Sequence, residues 1–102
     1  HGAPGRRVQF ILLDTRYSRS PQKRFGPNEP QPPGLPGRYQ AQDTEEVRIL
    51  SEEQWQWLEA QLQEPAEVRL IGTSIQALAQ DHAWESWSRF PRERARLLAL
   101  LI

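Results

Sequence analysis

The sequence predicts an α/β fold in which two parallel strands are joined by a helix, and three observations support this. The run 8–13 is apolar and rich in β-branched and aromatic residues, as strands are. Trp55, Leu58 and Leu62 recur at the i, i+3 and i+7 spacing of one helical face. The short apolar run 68–71 ends at a glycine and is typical of a second strand.

The stretch 50–74 organises the chain as a cap, a helix, a turn and a buried strand. Ser51 and Gln54 fit a capping box, in which the serine hydroxyl accepts from the amide three residues on and the glutamine reaches back. Pro65 is expected to end the helix because it cannot donate a backbone hydrogen bond. A strand–helix–strand unit has parallel strands and a right-handed crossover.

Polar residues follow both predicted strands. Parallel strands bring their carboxyl ends to one edge of the sheet, where α/β proteins bind ligands. Arginine suits a phosphate ligand because its planar fork makes two parallel charge-assisted bonds. The alternative is structural: Asp14 accepts turn amides and pairs with Arg16, and the hydroxyls bond local backbone. The candidate substrate or site-rim residues are Asp14, Arg16, Ser74, Gln76 and Trp84.

The sequence makes further predictions about the first strand and the last helix. The run 8–13 alternates little, which predicts a strand in the middle of a sheet covered on both faces. Pro91 is expected to start a C-terminal helix. The apolar end of this helix predicts self-association when the chain is made alone. Its expected buried side is Leu97, Leu98, Leu101 and Ile102, and its expected outer side is Arg92, Arg94 and Arg96.

The stretch 17–46 is a long Pro/Gly-rich loop insertion, and such loops are usually functional or mobile. Within it, residues 33–38 match the PxxPxR pattern of ligands for proline-binding modules. One alternative function is therefore a noncatalytic binding module that presents this loop to a partner. An ordinary insertion explains the same composition.

Composition limits the classes of function. The chain has 102 residues, which is one small domain or a single partial domain, and its formal net charge is zero. Nothing in that charge indicates nucleic acid or an anionic membrane as a partner. No apolar run approaches the roughly 18 residues of a membrane span. No Cys is present, and the adjacent Asp81 and His82 do not form a metal cluster. Because the chain lacks Met and ends on apolar residues, we interpret it as an internal segment.

Four motifs give the chain a resemblance to a known family. They lie at 11–17, 50–58, 73–76 and 84–94, in that order. Together they resemble the PhoD-like phosphatases (alkaline phosphatase D), a branch of the calcineurin-like metallophosphoesterases. The resemblance implies a larger α/β sandwich of two sheets between helices. It also implies hydrolysis of phosphate esters at a two-metal centre, with ions such as Fe³⁺ and Ca²⁺.

The resemblance limits what this segment does alone. The metal-ligand motifs of the family, rich in Asp, Asn and His, do not occur in this chain. Asp14, Arg16 and Gln76 would then support the site from its rim and make no metal bond. The isolated chain is expected to release no phosphate from an ester, even with Fe³⁺ and Ca²⁺ added. Many relatives are exported, whereas the sequence indicates no compartment for this chain.

Overall fold

The computed structural model describes residues 5–29, 31–32 and 34–101. Strand β1 (Val8–Leu12) is followed by helix α1 (Glu52–Gln61), strand β2 (Val68–Gly72), a short 3-10 helix (Trp87–Arg89) and helix α2 (Pro91–Leu101). β1 and β2 pair in parallel, with Val8 opposite Val68 and Leu12 opposite Gly72. The predicted strand–helix–strand unit with parallel strands is confirmed, and the described chain is a small α/β unit.

Helix α1 begins as the sequence predicts, although only half of the capping box forms. Ser51 Oγ accepts from the Gln54 amide at 3.1 Å, as predicted. The Gln54 side chain does not reach back to Ser51. Instead its Oε1 accepts from the Asp14 amide at 2.8 Å, and its Nε2 donates to the Asp14 carbonyl at 3.2 Å. Gln54 therefore joins the start of α1 to the chain just after β1.

One hydrophobic core lies between the sheet and the two helices. Trp55 and Leu58 of α1 are buried, and Leu62 packs against them at the rim. Trp55 and Trp87 meet edge to face with their ring centroids 6.2 Å apart, a favoured aromatic geometry. The buried hydrophobic residues are Ile11, Leu13, Ile49, Leu50, Trp55, Leu58, Ile75, Ala83, Trp87, Phe90 and Leu97.

Among the residues that the structure describes, the sheet is covered on one face only. Ile11 is buried, whereas its neighbours Phe10 and Leu12 are 65% and 79% exposed. Val68 and Leu70 of β2 are also about half exposed. The predictions that β1 is covered on both faces and that 68–71 is buried are therefore wrong within the described chain. Side chains alternate along a strand, and the single core covers only the face that carries Ile11.

Helix α2 starts at Pro91, as predicted, and its buried side differs in part from the prediction. Leu97 is buried and Leu98 half-buried, while Leu101 is exposed and Ile102 lies outside the described residues. Glu93 is also buried, which the sequence pattern does not predict. Arg94 is not a fully outer residue, because its guanidinium donates to the carbonyl groups of residues 77 and 78. Within the described ranges, every helix is too short or too polar to cross a membrane.

The stretch 17–46 contains no helix and no strand beyond isolated bridges in its described part. Its backbone is nevertheless bonded to the rest of the chain. The Tyr39 amide donates to the Ala83 carbonyl at 2.8 Å, and the Gln42 amide donates to the Arg89 carbonyl at 2.8 Å. Pro33 of the PxxPxR pattern lies outside the described residues, so the structure does not describe that motif in full.

Candidate functional site

The carboxyl ends of β1 and β2 deliver their polar residues to one edge of the sheet, as the sequence predicts. The pairing continues past the strands, since the Leu13 amide donates to the Gly72 carbonyl at 2.9 Å. The hydroxyl groups of Thr15 and Ser74 are hydrogen-bonded to each other across this edge. The two polar ends are therefore neighbours.

A shallow open depression of about 420 Å³ lies at this edge. Four of the five candidate residues lie in its wall, and the loop after β2 supplies most of the remainder. The lining residues are Arg16, Ser74, Ile75, Gln76, His82, Trp84 and Glu85. The structure thus brings together residues from three of the four motifs on which the family resemblance depends.

Asp14 is the candidate that does not line the depression. Its Oδ1 accepts from the amides of Arg16 and Tyr17, each at 3.0 Å. The amides of Tyr17 and Arg16, in that order of importance, lower the pKa of this carboxyl. Asp14 therefore shapes the turn after β1, as the structural alternative expects. The other half of that alternative is wrong, because Arg16 does not pair with Asp14.

Arg16 pairs with Glu85, from the loop before the 3-10 helix. Its Nη2 lies 2.9 Å from Glu85 Oε1, and Arg19 Nη1 lies 2.7 Å from the same oxygen. Two guanidinium groups thus share one carboxylate oxygen. The three side chains carry a net charge of plus one, which favours an anionic ligand over a cationic one.

Gln76 and His82 form a hydrogen-bonded pair in the wall of the depression. The Trp84 amide donates to His82 Nδ1 at 3.2 Å, so in the neutral ring the proton is on Nε2. His82 Nε2 then donates to Gln76 Oε1 at 2.5 Å. This arrangement leaves the Gln76 amide nitrogen as a donor for a ligand, because only its oxygen is bonded to His82.

Trp84 is half exposed, and it is held against the Pro/Gly-rich stretch. The Arg38 guanidinium carbon lies 5.5 Å from the centroid of its ring, within the range of a cation–π contact. The next tryptophan, Trp87, is fully buried and donates from its indole nitrogen to Thr73 Oγ1 at 3.0 Å. Trp84 therefore lines the depression, whereas Trp87 belongs to the buried core.

Sequence reasoning missed three members of this site. His82 received little weight, because adjacency to Asp81 does not indicate a ligand. Arg19 and Glu85 were not singled out at all. The available signal was that Glu85 stands beside the candidate residue Trp84, but its pairing with Arg19 spans 66 residues and follows from the folded path of the chain.

The described side chains limit the chemistry of this site. Across residues 5–29, 31–32 and 34–101, no group of three or more His, Asp or Glu side chains could hold a metal ion. The Ser74 hydroxyl is bonded to Thr15, and His82 is bonded to Gln76, so neither serves the other as nucleophile and base. The net charge of Arg16, Arg19 and Glu85 favours an anion over a cation in the depression, and no metal-binding group is found among the described residues.

A second group of charged residues lies where α1 meets α2. Glu93 is buried, and its Oε2 accepts from Trp55 Nε1 at 2.7 Å. Arg96 lies over the Trp55 ring, 4.6 Å from its centroid, and makes two bonds of 2.8 Å to Glu52. Burial raises the pKa of Glu93, and the Trp55 N–H, Arg96, the Ile49 amide and Arg48 oppose that rise. These side chains are hydrogen-bonded and ion-paired with one another, and we interpret the group as structural.

Because its pKa is raised, Glu93 should make the fold less stable as the pH rises. When a carboxyl has a higher pKa in the folded chain than in the unfolded chain, its full contribution to stability is present at pH values below the unfolded-state pKa. That contribution is lost as the pH rises through the folded-state pKa. Glu93→Gln keeps an acceptor for Trp55 and cannot ionise. We therefore expect the stability of this variant, relative to the parent chain, to increase from pH 4 to pH 8.

Urea unfolding measured across this pH range would test that expectation. Asp14 and Glu52 are present in both chains, so their own titrations cancel in the comparison. The control is Gln56→Ala, an exposed site on α1 without an ionisable group, for which the difference from the parent should not change with pH. A pH-independent difference for Glu93→Gln would contradict the assignment.

Comparison of the chain with protein families, with curated proteins and with solved structures gave no match in any of the three.

Proposed function

We propose that this chain is a segment of a metal-dependent phosphoesterase that resembles the PhoD-like phosphatases, and that its depression forms part of the substrate-binding rim. The observation that carries the proposal is that Arg16, Ser74, Gln76 and Trp84 line one depression at the carboxyl edge of parallel strands. These residues come from motifs that are separate in the sequence and that each contribute to the resemblance.

The chemistry of the depression suits a phosphoryl group. Arg16 offers two parallel N–H donors, and the Gln76 amide offers a further donor in the same wall. The Ser74 hydroxyl can also donate to a ligand when it accepts from Thr15. The net positive charge of Arg16, Arg19 and Glu85 adds attraction for an anion. Trp84 offers an apolar surface for the organic part of an ester.

The remainder of the catalytic site belongs to the proposal as well. The described residues do not supply a metal-binding group, so ions such as Fe³⁺ and Ca²⁺ would be held by parts of the parent enzyme outside this chain. The surrounding sandwich of two sheets would cover the open face of β1 and β2, where Phe10 and Leu12 are exposed. Parallel sheets are covered on both faces in most α/β proteins, which supports this part of the proposal.

The alternative function, a module that presents the Pro-rich loop, has weaker support. Arg38 is the basic residue that such a motif offers to its partner, and it lies over Trp84. The Pro36 carbonyl accepts from the Ala83 amide, which holds this part of the loop against the chain. A proline-binding module would have to compete with both contacts.

Phosphate binding tests the proposal without requiring turnover. We expect inorganic phosphate to shift the amide and guanidinium NMR signals of the residues that line the depression. Arg16→Gln should weaken the affinity by at least about tenfold, because it removes a charge and a two-bond contact. Titration at constant ionic strength separates this binding from a general salt effect.

Arg6→Gln is the matched control, since Arg6 is an exposed arginine at the opposite end of β1. It should leave the phosphate affinity within about twofold, as expected for a distant surface charge. If Arg6→Gln and Arg16→Gln weaken binding equally, phosphate is only screening surface charge and the proposal loses its support.

Self-association through the last helix is a further part of the proposal. Leu101 is 43% exposed at the end of α2, which supports it. The open sheet face offers a larger apolar surface for the same purpose. Sedimentation of Leu101→Glu and Leu12→Glu variants, each compared with the parent chain, would show which surface is used.

A further inference from the structure

The ion cluster in the wall of the depression consists of two pairs in different environments. The Arg19 side chain is 17% exposed, the Glu85 side chain 29%, and the Arg16 side chain 60%. Charge pairs are stronger where solvent screens them less. The contact between Arg19 and Glu85 is therefore the more durable of the two, and the contact between Arg16 and Glu85 is the easier to exchange.

Arg19 lowers the free-energy cost that Glu85 bears when Arg16 moves to a ligand. A partly buried carboxylate that loses its only cation bears a large desolvation cost. Here both guanidinium groups bind the same atom, Oε1, so Glu85 keeps one cation at 2.7 Å when Arg16 leaves. Arg16 lines the depression together with Glu85, whereas Arg19 is not one of its lining residues.

We propose that Glu85 is an internal competitor for Arg16, and that a phosphoryl group binds by taking Arg16 over from Glu85 while Arg19 stays paired with Glu85. This rests on the proposed function, and it names a substrate class. The ligand must displace a carboxylate that is attached to the same chain and therefore has a high effective concentration. A dianion such as a phosphate monoester can do so at neutral pH, whereas a simple carboxylate monoanion cannot.

The variants of Glu85 and Arg19 have opposite expected effects. Glu85→Gln frees Arg16 and should raise the affinity for inorganic phosphate by about tenfold. In the parent chain Arg16 is free of Glu85 only part of the time, and this partial population of the binding-competent state lowers the apparent affinity. Arg19→Gln leaves Arg16 as the remaining cation of Glu85 and should lower the affinity about fivefold. Arg19→Lys keeps the charge and should bind phosphate within about twofold of the parent chain.

The double variant that combines Arg19→Gln with Glu85→Gln distinguishes the exchange of Arg16 from a general effect of the Arg19 charge. If Arg19 acts through Glu85, then Arg19→Gln should change the affinity by less than about twofold in the Glu85→Gln background. The readout is the Arg16 guanidinium NMR signal during titration with phosphate at pH 7.5 and constant ionic strength. Acetate in place of phosphate should leave that signal unchanged. Far-UV circular dichroism and amide spectra confirm that each variant is folded.

The outcomes distinguish this inference from the function on which it rests. An equal loss from Arg19→Gln in both backgrounds would overturn the exchange, and the rim proposal would stand if Arg16→Gln still weakens phosphate binding by about tenfold or more. An unchanged affinity in Glu85→Gln would overturn the exchange in the same way. Absence of phosphate binding by the parent chain and by Glu85→Gln would overturn both. A shift of the Arg16 signal by acetate equal to that by phosphate would overturn the stated substrate class.

Discussion

Replacing Trp87 by alanine is expected to lower the free energy of unfolding by about 3–5 kcal/mol, the usual cost of removing a large buried aromatic side chain. Trp87 is fully buried and packs edge to face against Trp55. Its indole nitrogen also donates to Thr73 at the end of β2, so one side chain joins the core to the candidate site. Small domains are stable by only about 5–15 kcal/mol, so the change in the unfolding midpoint should be large.

Two further variants test the reason for this loss in urea unfolding experiments. Trp57→Ala removes a half-exposed tryptophan from α1 and should cost less than about 1 kcal/mol. Trp87→Phe keeps most of the apolar volume and loses the hydrogen bond to Thr73, for an expected cost of about 1–2 kcal/mol. Equal midpoints for Trp57→Ala and Trp87→Ala would contradict the central position of Trp87 in the core.

Replacing Gly37 by alanine is expected to lower the free energy of unfolding by about 3 kcal/mol or more, through backbone strain and a steric clash together. The φ angle of Gly37 is +124°, a value that residues with a side chain rarely adopt. An added Cβ would overlap the carbonyl carbon of Ala83 and lie 2.6 Å from its oxygen. That carbonyl accepts from the Arg38 and Tyr39 amides, so the overlap would displace the loop.

Gly34→Ala provides the matched control for Gly37→Ala. Gly34 also has a positive φ, +77°, but a Cβ there would meet no atom within 4 Å. The control therefore carries only the conformational cost of about 1 kcal/mol. Amide hydrogen exchange of Tyr39 and Ala83 should become faster in Gly37→Ala and stay as in the parent in Gly34→Ala. Equal exchange in the two variants would show that the close contact with Ala83 does not hold the loop.

Much of the local structure could be predicted because short-range chemistry specifies it. Ser51 caps α1, Pro91 starts α2, and the apolar runs form the two strands at nearly their expected positions. Gln54 departs from its local pattern because the Asp14 backbone, 40 residues away in sequence, offers it two hydrogen bonds at once. A capping pattern contains no information about such a distant competitor.

The candidate site was predictable in its location and less so in its composition. Parallel pairing brings the ends of two strands to one edge, so Arg16, Ser74 and Gln76 could be expected together from the order of the elements. Arg19 and Glu85 join them through loops, whose paths follow from many weak contacts and not from a periodic pattern. The burial of Glu93 was not predicted for a related reason: its carboxylate is bonded to the Trp55 N–H donor, which belongs to another helix.

In this protein, residue order and side-chain type account for the α/β class, the helix starts and the edge at which polar groups gather, because each follows from contacts within a few residues or from strand direction. Which charges pair, which face of the sheet stays open and which carboxyl is buried follow from packing between distant segments. Those features depend on three-dimensional distance: the oxygen that Arg16 and Arg19 share on Glu85 exists only once the chain is folded.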